Sequence, residues 1–236
     1  MTTDNKRDRM AKLTFHGHAT FSLECDDGTH LVIDPFFVGN PACDHDGSSV
    51  DADYILVTHG HGDHVADLIP LAERTGATVI ATHEIATYVE GRGCATSPHH
   101  IGGGVDYPFG RVKMTAALHG GKVELPDAEA FTTLPAGFLV SLKSGPRIYF
   151  AGDTGLLMDM QLLKGNVDLA VLPIGDRYTM GPEDAVTAID FIEPSVVVPM
   201  HYDTWPPIEQ DAEAFKAAVG ARATVEIMRC GSTYEL

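Results

Sequence analysis

Seven consecutive residues, Thr58-His59-Gly60-His61-Gly62-Asp63-His64, restrict this chain more than any other stretch. They follow a continuous apolar run over 54–58 that reads as a buried strand. They precede a segment over 64–75 with Val65, Leu68, Ile69, Leu71 and Ala72 at near-helical spacing. Three imidazoles and one carboxylate therefore fall within six positions of a strand-to-helix loop. Imidazole and carboxylate are the donors that borderline divalent metals prefer. Gly60 and Gly62 alternate with the donors and read as freeing the backbone to turn sharply, so that neighbouring side chains converge. The bland alternative is a polar loop with incidental histidine caps, and four donors at this spacing outweigh it.

One loop supplies too few donors for two closed metal shells, so further ligands are expected at later strand ends. His119 follows an apolar strand read over 111–118. Asp153 follows one over 147–151, within Ala151-Gly152-Asp153-Thr154. His201 follows one over 196–199, within Pro199-Met200-His201-Tyr202. Site residues collect on loops carried by a rigid scaffold. Singly, each of the three is as easily a loop cap as a ligand; beside the first motif the ligand reading prevails.

The rest of the chain alternates strands and helices. Strands are expected over 12–16, 21–24, 31–33, 78–81, 137–142, 169–173 and 224–228, and helices over 83–90, 182–191 and 207–219. A long polar loop over 120–136 interrupts the middle and is expected to be functional or mobile. Periodicity alone gives a mixed α and β chain, whose order fits two sheets between helix layers. Residues 1–10 read as an N-terminal tail and 11–236 as one domain. Hydrophobic residues make up 44% and charged residues 21% of the 236, enough for a large core. No apolar run is long enough to span a membrane, and the first residues lack the apolar segment of an export signal, so a cytoplasmic chain is expected. Cys25, Cys43, Cys94 and Cys230 are widely separated with no C-x-x-C pair. They read as free thiols in a reducing compartment. The formal net charge of −17 repels phosphate backbones and weighs against nucleic acid as a partner.

The succession T-H-x-H-x-D-H, a lone His, G-D-T and a final His resembles the metallo-β-lactamase superfamily. Within it the chain looks similar to the small bacterial and archaeal metal-dependent hydrolases near the ascorbate-6-phosphate lactonase branch. Supporting runs are His16-Gly17-His18-Ala19, Ile33-Asp34-Pro35-Phe36, Pro135-Ala136-Gly137-Phe138 and Thr179-Met180-Gly181-Pro182. The resemblance covers the chain from about residue 11 onward. It implies an α/β (α+β) fold of the four-layer αββα sandwich type, with metals at one edge. It implies that His59, His61 and His119 hold one metal, that Asp63, His64 and His201 hold a second, and that Asp153 bridges both. Asp63 and His64 are then catalytic as well as ligating. Two cations about 3.5–4 Å apart can share a water and lower its pKa, giving a bridging hydroxide for attack on an ester, lactone or phosphodiester bond. Zinc is the first expectation for the two divalent ions, with manganese and iron also suited to nitrogen and oxygen donors.

Four further positions are weighed. Asp34 is expected to orient a ligating histidine from behind. His18 is expected at the edge of the site, touching substrate. Arg177, in Gly175-Asp176-Arg177-Tyr178 where relatives often read Gly-Gly-His-Phe, is expected to grip a substrate carboxylate or phosphate, with Asp176 as its pair. His100 reads as a loop histidine. The expected partner is a small-molecule substrate, without membrane or nucleic acid, and a homo-oligomer suits this branch. Against the hydrolase stand a nuclease of the same superfamily, a single-iron thiol dioxygenase and a non-catalytic metal-binding scaffold. The acidic charge disfavours the nuclease, and seven intact donor positions disfavour the scaffold. No G-x-S-x-G elbow is present, which disfavours a serine esterase.

Overall fold

A computed structural model of the chain describes residues 10–45, 47–125, 127–128 and 130–236. The tail expected over 1–10 lies outside them but for Met10. Two seven-stranded sheets form the centre. The first contains β1 (Lys12–Phe15), β2 (Phe21–Glu24), β3 (His30–Ile33), β4 (Tyr54–Leu56), β5 (Thr78–Thr82), β6 (Thr96–His99) and the last strand, β14 (Thr233–Glu235), in the order β14-β1-β2-β3-β4-β5-β6. The second contains β7 (Gly104–Tyr107), β8 (Gly110–Ala116), β9 (Ala136–Leu142), β10 (Arg147–Phe150), β11 (Leu169–Pro173), β12 (Val196–Met200) and β13 (Thr224–Val225), in the order β13-β12-β11-β10-β9-β8-β7. Each sheet is antiparallel in its first half and parallel from β3 to β6 or from β10 to β13.

The pleat explains the layering. Leu13, Phe21, Leu23, Ile33 and Leu56 of the first sheet meet Val112, Phe138, Val140, Ile148 and Phe150 of the second in one apolar core. On the outer face of the first sheet, α2 (Leu68–Thr75) and α3 (His83–Glu90) bury Leu68, Leu71, Ile85 and Val89 against Val32, Ile55 and Val79. On the outer face of the second, α4 (Pro182–Ile192) and α5 (Ala212–Val219) bury Ile189, Ile192, Phe215 and Val219 against Ala170, Leu172 and Val197. The result is the expected αββα order. Strands buried on both faces read as continuous apolar runs, as Leu169–Pro173 does.

Departures from the sequence reading have local causes. The helix expected over 64–75 is split into α1 (Gly62–Val65) and α2. Pro70 has no N–H to give the Ala66 carbonyl four residues back, so a continuous helix would break there. The helix expected over 207–219 begins only at Ala212, because the Asp211 carboxylate accepts the Ala214 N–H and caps it. Strands β6, β7 and β14 are short and polar at sheet edges, and carry no alternation to read. No described helix is long and apolar enough to cross a membrane.

The cysteine reading needs correction. Cys43 and Cys230 form a disulfide, with Cα atoms 5.4 Å apart across 187 residues of sequence. Among the described residues only Cys25 and Cys94 are free. The bond forms because the segment before β14 returns to β1 through Gly231 N–H to the Phe15 carbonyl and Phe15 N–H to the Ser232 carbonyl. Such bonds are uncommon in reducing compartments, so the cysteines do not support the cytoplasmic expectation. Reduction, or Cys43→Ser, is expected to cost about 2–4 kcal/mol of stability. A urea unfolding midpoint unmoved by reductant would show that the bond contributes nothing.

Candidate metal centre

The chemistry-bearing residues collect where the parallel strands end. Asp34 follows β3, the motif His59–His64 follows β4, Asp153 follows β10 and His201 follows β12. His119 lies beyond β8, and His18 sits in the turn between β1 and β2. Three ring nitrogens converge first: His61 Nδ1 is 3.0 Å from His59 Nε2 and 3.3 Å from His119 Nε2. Asp153 faces this group and the next. Its Oδ2 lies 3.4 Å from His119 Nε2, 3.9 Å from His59 Nε2 and 3.0 Å from His201 Nε2, while its Oδ1 lies 3.4 Å from His64 Nε2. Asp63 Oδ2 lies 3.9 Å from His201 Nε2. All seven residues expected to bind metal are thus brought into one cluster.

The cluster suits a cation. Buried polar atoms are almost always hydrogen-bonded, yet His64 Nε2 and Asp153 Oδ1 are buried here without a hydrogen-bond partner among the described residues. Electrostatics point the same way. Burial pushes the Asp153 carboxyl upward, but His201 and His64 outweigh it and hold the group well below the usual carboxylate range. Burial alone would strip the proton from His64, but the carboxylates of Asp153 and Asp34 outweigh it and hold the ring well above the usual histidine range. Desolvation drives His59 far down, with His64 adding to the effect. Positive charge is demanded between His64 and Asp153, and a metal supplies it while displacing the proton.

Asp34 fixes the orientation of two histidines. It is 1% exposed and adopts a left-handed φ of 48°. Its Oδ1 accepts the Thr58 N–H at 2.8 Å, and its Oδ2 accepts the Thr58 hydroxyl at 2.7 Å and the His64 Nδ1–H at 2.9 Å. Thr58 has spent its proton on Asp34, so its Oγ1 accepts from His59 Nδ1 at 3.0 Å. Both rings are left with Nε2 as a bare lone pair facing the cluster, the arrangement that metal-binding histidines require.

The glycines act differently from the sequence reading. Neither Gly60 nor Gly62 takes a positive φ, so neither is needed for a left-handed turn. Gly60 is required for space, since a Cβ there would stand 2.7 Å from Val123 Cγ2. The stretch 123–125 of the long loop is accordingly packed down. Val123 and Leu125 are buried, Glu124 N–H donates to the Gly60 carbonyl, and the Glu124 carboxylate accepts the Gly62 N–H. The loop clamps the motif from outside, and its alternating Val123 and Leu125 were the signal for it.

The remaining expectations fare unevenly. Arg177 is exposed, lies 5.4 Å over the Tyr178 ring and, with Asp176, takes a positive φ. It makes no ion pair with Asp176 among the described residues. The turn is nonetheless anchored beside the cluster, because Met180 N–H donates to the Thr154 carbonyl and Gly175 packs on the His201 carbonyl. The ring neighbour of His100 is His83 rather than any cluster residue. His18 is moved from the expected substrate edge to the interior, at 1% exposure. Burial pulls it down to about 4 against the upward effect of Asp63. Thr204 and Trp205, which no motif announced, contact it directly.

His16, two residues earlier, is wired as a structural histidine. Gly47 N–H donates to His45 Nδ1, so His45 Nε2–H donates to His16 Nδ1 at 2.8 Å and His16 Nε2–H donates to Ser22 Oγ at 2.8 Å. Burial, with His45 beside it, lowers His16 to about 4 from an ordinary 6.5. The unfolded chain therefore takes up this proton first, and stability falls as pH drops through that window. Between pH about 6.5 and about 4.5 the loss from His16 is expected to be about 2 kcal/mol. A His16→Gln protein should show a correspondingly flatter pH dependence in urea unfolding, and an equal slope would remove His16 as the cause.

Comparison with known proteins bears on this arrangement. A family model described as the beta-lactamase superfamily domain matches residues 29–202. The chain belongs to the metallo-β-lactamase superfamily. It is 50% identical over 217 residues to a metal-dependent hydrolase of Heliobacterium modesticaldum, covering 89% of this chain and 90% of that one. A metal-dependent hydrolase of Desulforamulus reducens is 48% identical over 219 residues, with 92% and 95% covered. Igni18, a metallo hydrolase of Ignicoccus hospitalis, superposes with a TM-score of 0.86 at 34% identity, covering 97% of this chain and all of that one. Within the superfamily this chain groups with the metal-dependent hydrolases.

Proposed function

We propose that this superfamily member is a binuclear metal-dependent hydrolase that cleaves an ester, lactone or phosphodiester bond of a small molecule. The observation that carries the reading is the position of Asp153, whose two oxygens face both groups of histidines at 3.0–3.9 Å. His59, His61 and His119 would hold one ion, Asp63, His64 and His201 the other, and Asp153 both. Bound there, divalent ions supply charge to stabilise an oxyanion and make a coordinated water acidic enough to act as a nucleophile near neutral pH. The chain's own part is to hold the donors in register. Asp34 and Thr58 fix the rings of His64 and His59, and Glu124 and Val123 fix the loop that carries them. Leu118 and Trp205, on the loops that carry His119 and His201, and Tyr178, beside Arg177, are exposed large side chains, and would offer a substrate apolar contact. Arg177, on the turn anchored to Thr154 and His201, would take its anionic group. Zinc is the ion favoured by this nitrogen-rich donor set.

The test pairs metal content per chain with hydrolysis of bis-p-nitrophenyl phosphate and a simple lactone, before and after chelation. Near two metals with turnover that chelation abolishes and zinc or manganese restores is the expected result. One metal or none, with no turnover after either ion is added, would overturn the reading.

A further inference from the structure

His18 is wired like the ligand histidines and unlike its neighbour His16. Its side chain is fully buried, and its backbone is tied to the cluster because His201 N–H donates to the His18 carbonyl at 2.9 Å. Its Nδ1 lies 2.7 Å from Thr204 Oγ1. The Thr204 hydroxyl donates to the Tyr202 carbonyl, so its oxygen accepts from His18 Nδ1–H. Nε2 is then a bare lone pair, and it stands 3.1 Å from Asp63 Oδ2. His18 Nε2 is fully buried and Asp63 half-buried, and two acceptors at that separation repel unless a cation lies between them. Donors about 2.1 Å from one cation, at angles of about 90–110°, stand about 3–3.5 Å apart.

The surroundings agree. One donor atom from each of His18, Asp63, His64 and His201 lies within 4.8 Å of the others. The His18 ring centroid is 4.1 Å from that of His201 and 5.7 Å from that of His64. His59, His64 and His18 share one arrangement, with Nδ1 on an oxygen behind the ring and Nε2 turned inward. His16 instead has both nitrogens satisfied by protein groups.

We propose that His18 is a fourth side-chain ligand of the metal held by Asp63, His64 and His201. This rests on the two-metal reading above and makes the two positions unequal. The position near His61 draws three imidazoles, and the position near His64 draws three imidazoles and the Asp63 carboxylate, with Asp153 shared.

The test loads wild type, His18→Gln and Thr204→Val proteins with cobalt(II). It measures affinity by competition with a chelator and counts hyperfine-shifted, solvent-exchangeable imidazole N–H resonances. The expected result is that wild type takes two ions. His18→Gln should lose one shifted resonance and more than about a hundredfold in affinity at one position only, beyond the 10–100-fold that loss of an outer partner costs. Thr204→Val keeps the ligand and should retain the full number of resonances with one of them moved, so the proposal stays open to test even should His18→Gln fail to fold. If His18→Gln keeps every shifted resonance, or if the Thr204→Val change moves none, His18 is only a hydrogen-bond partner of Asp63; the proposal falls and the two-metal reading survives. A wild-type protein that takes a single ion ends both.

Discussion

Asp153→Ala is expected to lower hydrolysis by at least about a thousandfold, because on the proposed two-metal reading its carboxylate would be the anion shared by both ions and would stabilise the charge that develops between them. Metal content should fall from two to at most one per chain. The reason is geometric. Asp153 is 2% exposed, and its carboxylate reaches His59, His119, His201 and His64 at once. Among the described residues no other carboxylate is placed to substitute, since Asp34 is committed to Thr58 and His64, and Asp63 faces His18 and His201. The fold should persist. Asp153 lies past the end of β10, whose pairing to β9 and β11 does not use its side chain. Asp153→Asn keeps the volume and removes the charge, so it should lose activity in the same direction with less disturbance of the apoprotein. Turnover, metal content and far-UV circular dichroism on one sample separate loss of metal from loss of fold. Full activity in a folded Asp153→Ala protein would sink the bridging assignment.

The site was legible in the sequence to the extent that it was local or marked by a strand end. His59, His61, Asp63 and His64 announce themselves by spacing. His119, Asp153 and His201 each follow an apolar run, which is where the sheet delivers a side chain to the rim. The outer contacts were legible only in part. Asp34 could be suspected because it ends β3, next in the sheet to the strand that feeds the motif. Thr204 could not, because its link to His18 spans 186 residues and a threonine in a loop carries no signal of what it will meet. Cys43 and Cys230 were misread for the same reason: their pairing is decided by how β14 closes the first sheet.

Gly60 illustrates a subtler limit. Its presence in the motif was correctly noticed, but the cause is an approach by Val123 from a loop more than sixty residues later, not a backbone angle. Local patterns report what a residue can do, whereas the reason it is required here is tertiary. The edge strands β6 and β7 follow the same rule. Pro98 and Gly104 have poor strand propensity, and each strand exists because an established neighbour offers it a ladder.

Asp34→Asn should be the most informative change outside the donor cluster. The substitution keeps size and tolerates the left-handed φ of 48° that Asp34 adopts. It removes the charge and gives one terminal atom protons in place of lone pairs. If the amide nitrogen takes the Oδ2 position, it presents N–H to Thr58 Oγ1 and His64 Nδ1, where both now donate. If it takes the Oδ1 position, it meets the Thr58 N–H donor at 2.8 Å. The backbone N–H cannot reverse its role, while the hydroxyl and the imidazole can, so the first orientation wins. His64 must then carry its proton on Nε2, and the lone pair aimed at the cluster is lost. Metal affinity at the Asp63, His64 and His201 position is expected to fall about 10–100-fold, with the His59, His61 and His119 position less affected. Asp34→Ala instead leaves Thr58 N–H and His64 Nδ1–H buried without an acceptor, and should cost about 3–5 kcal/mol, the range found when one partner of a buried charged pair is removed. Chelator competition on Asp34→Asn and urea unfolding of Asp34→Ala read the two effects separately. Unchanged affinity at both positions in the Asn protein would show that His64 holds its tautomer without Asp34.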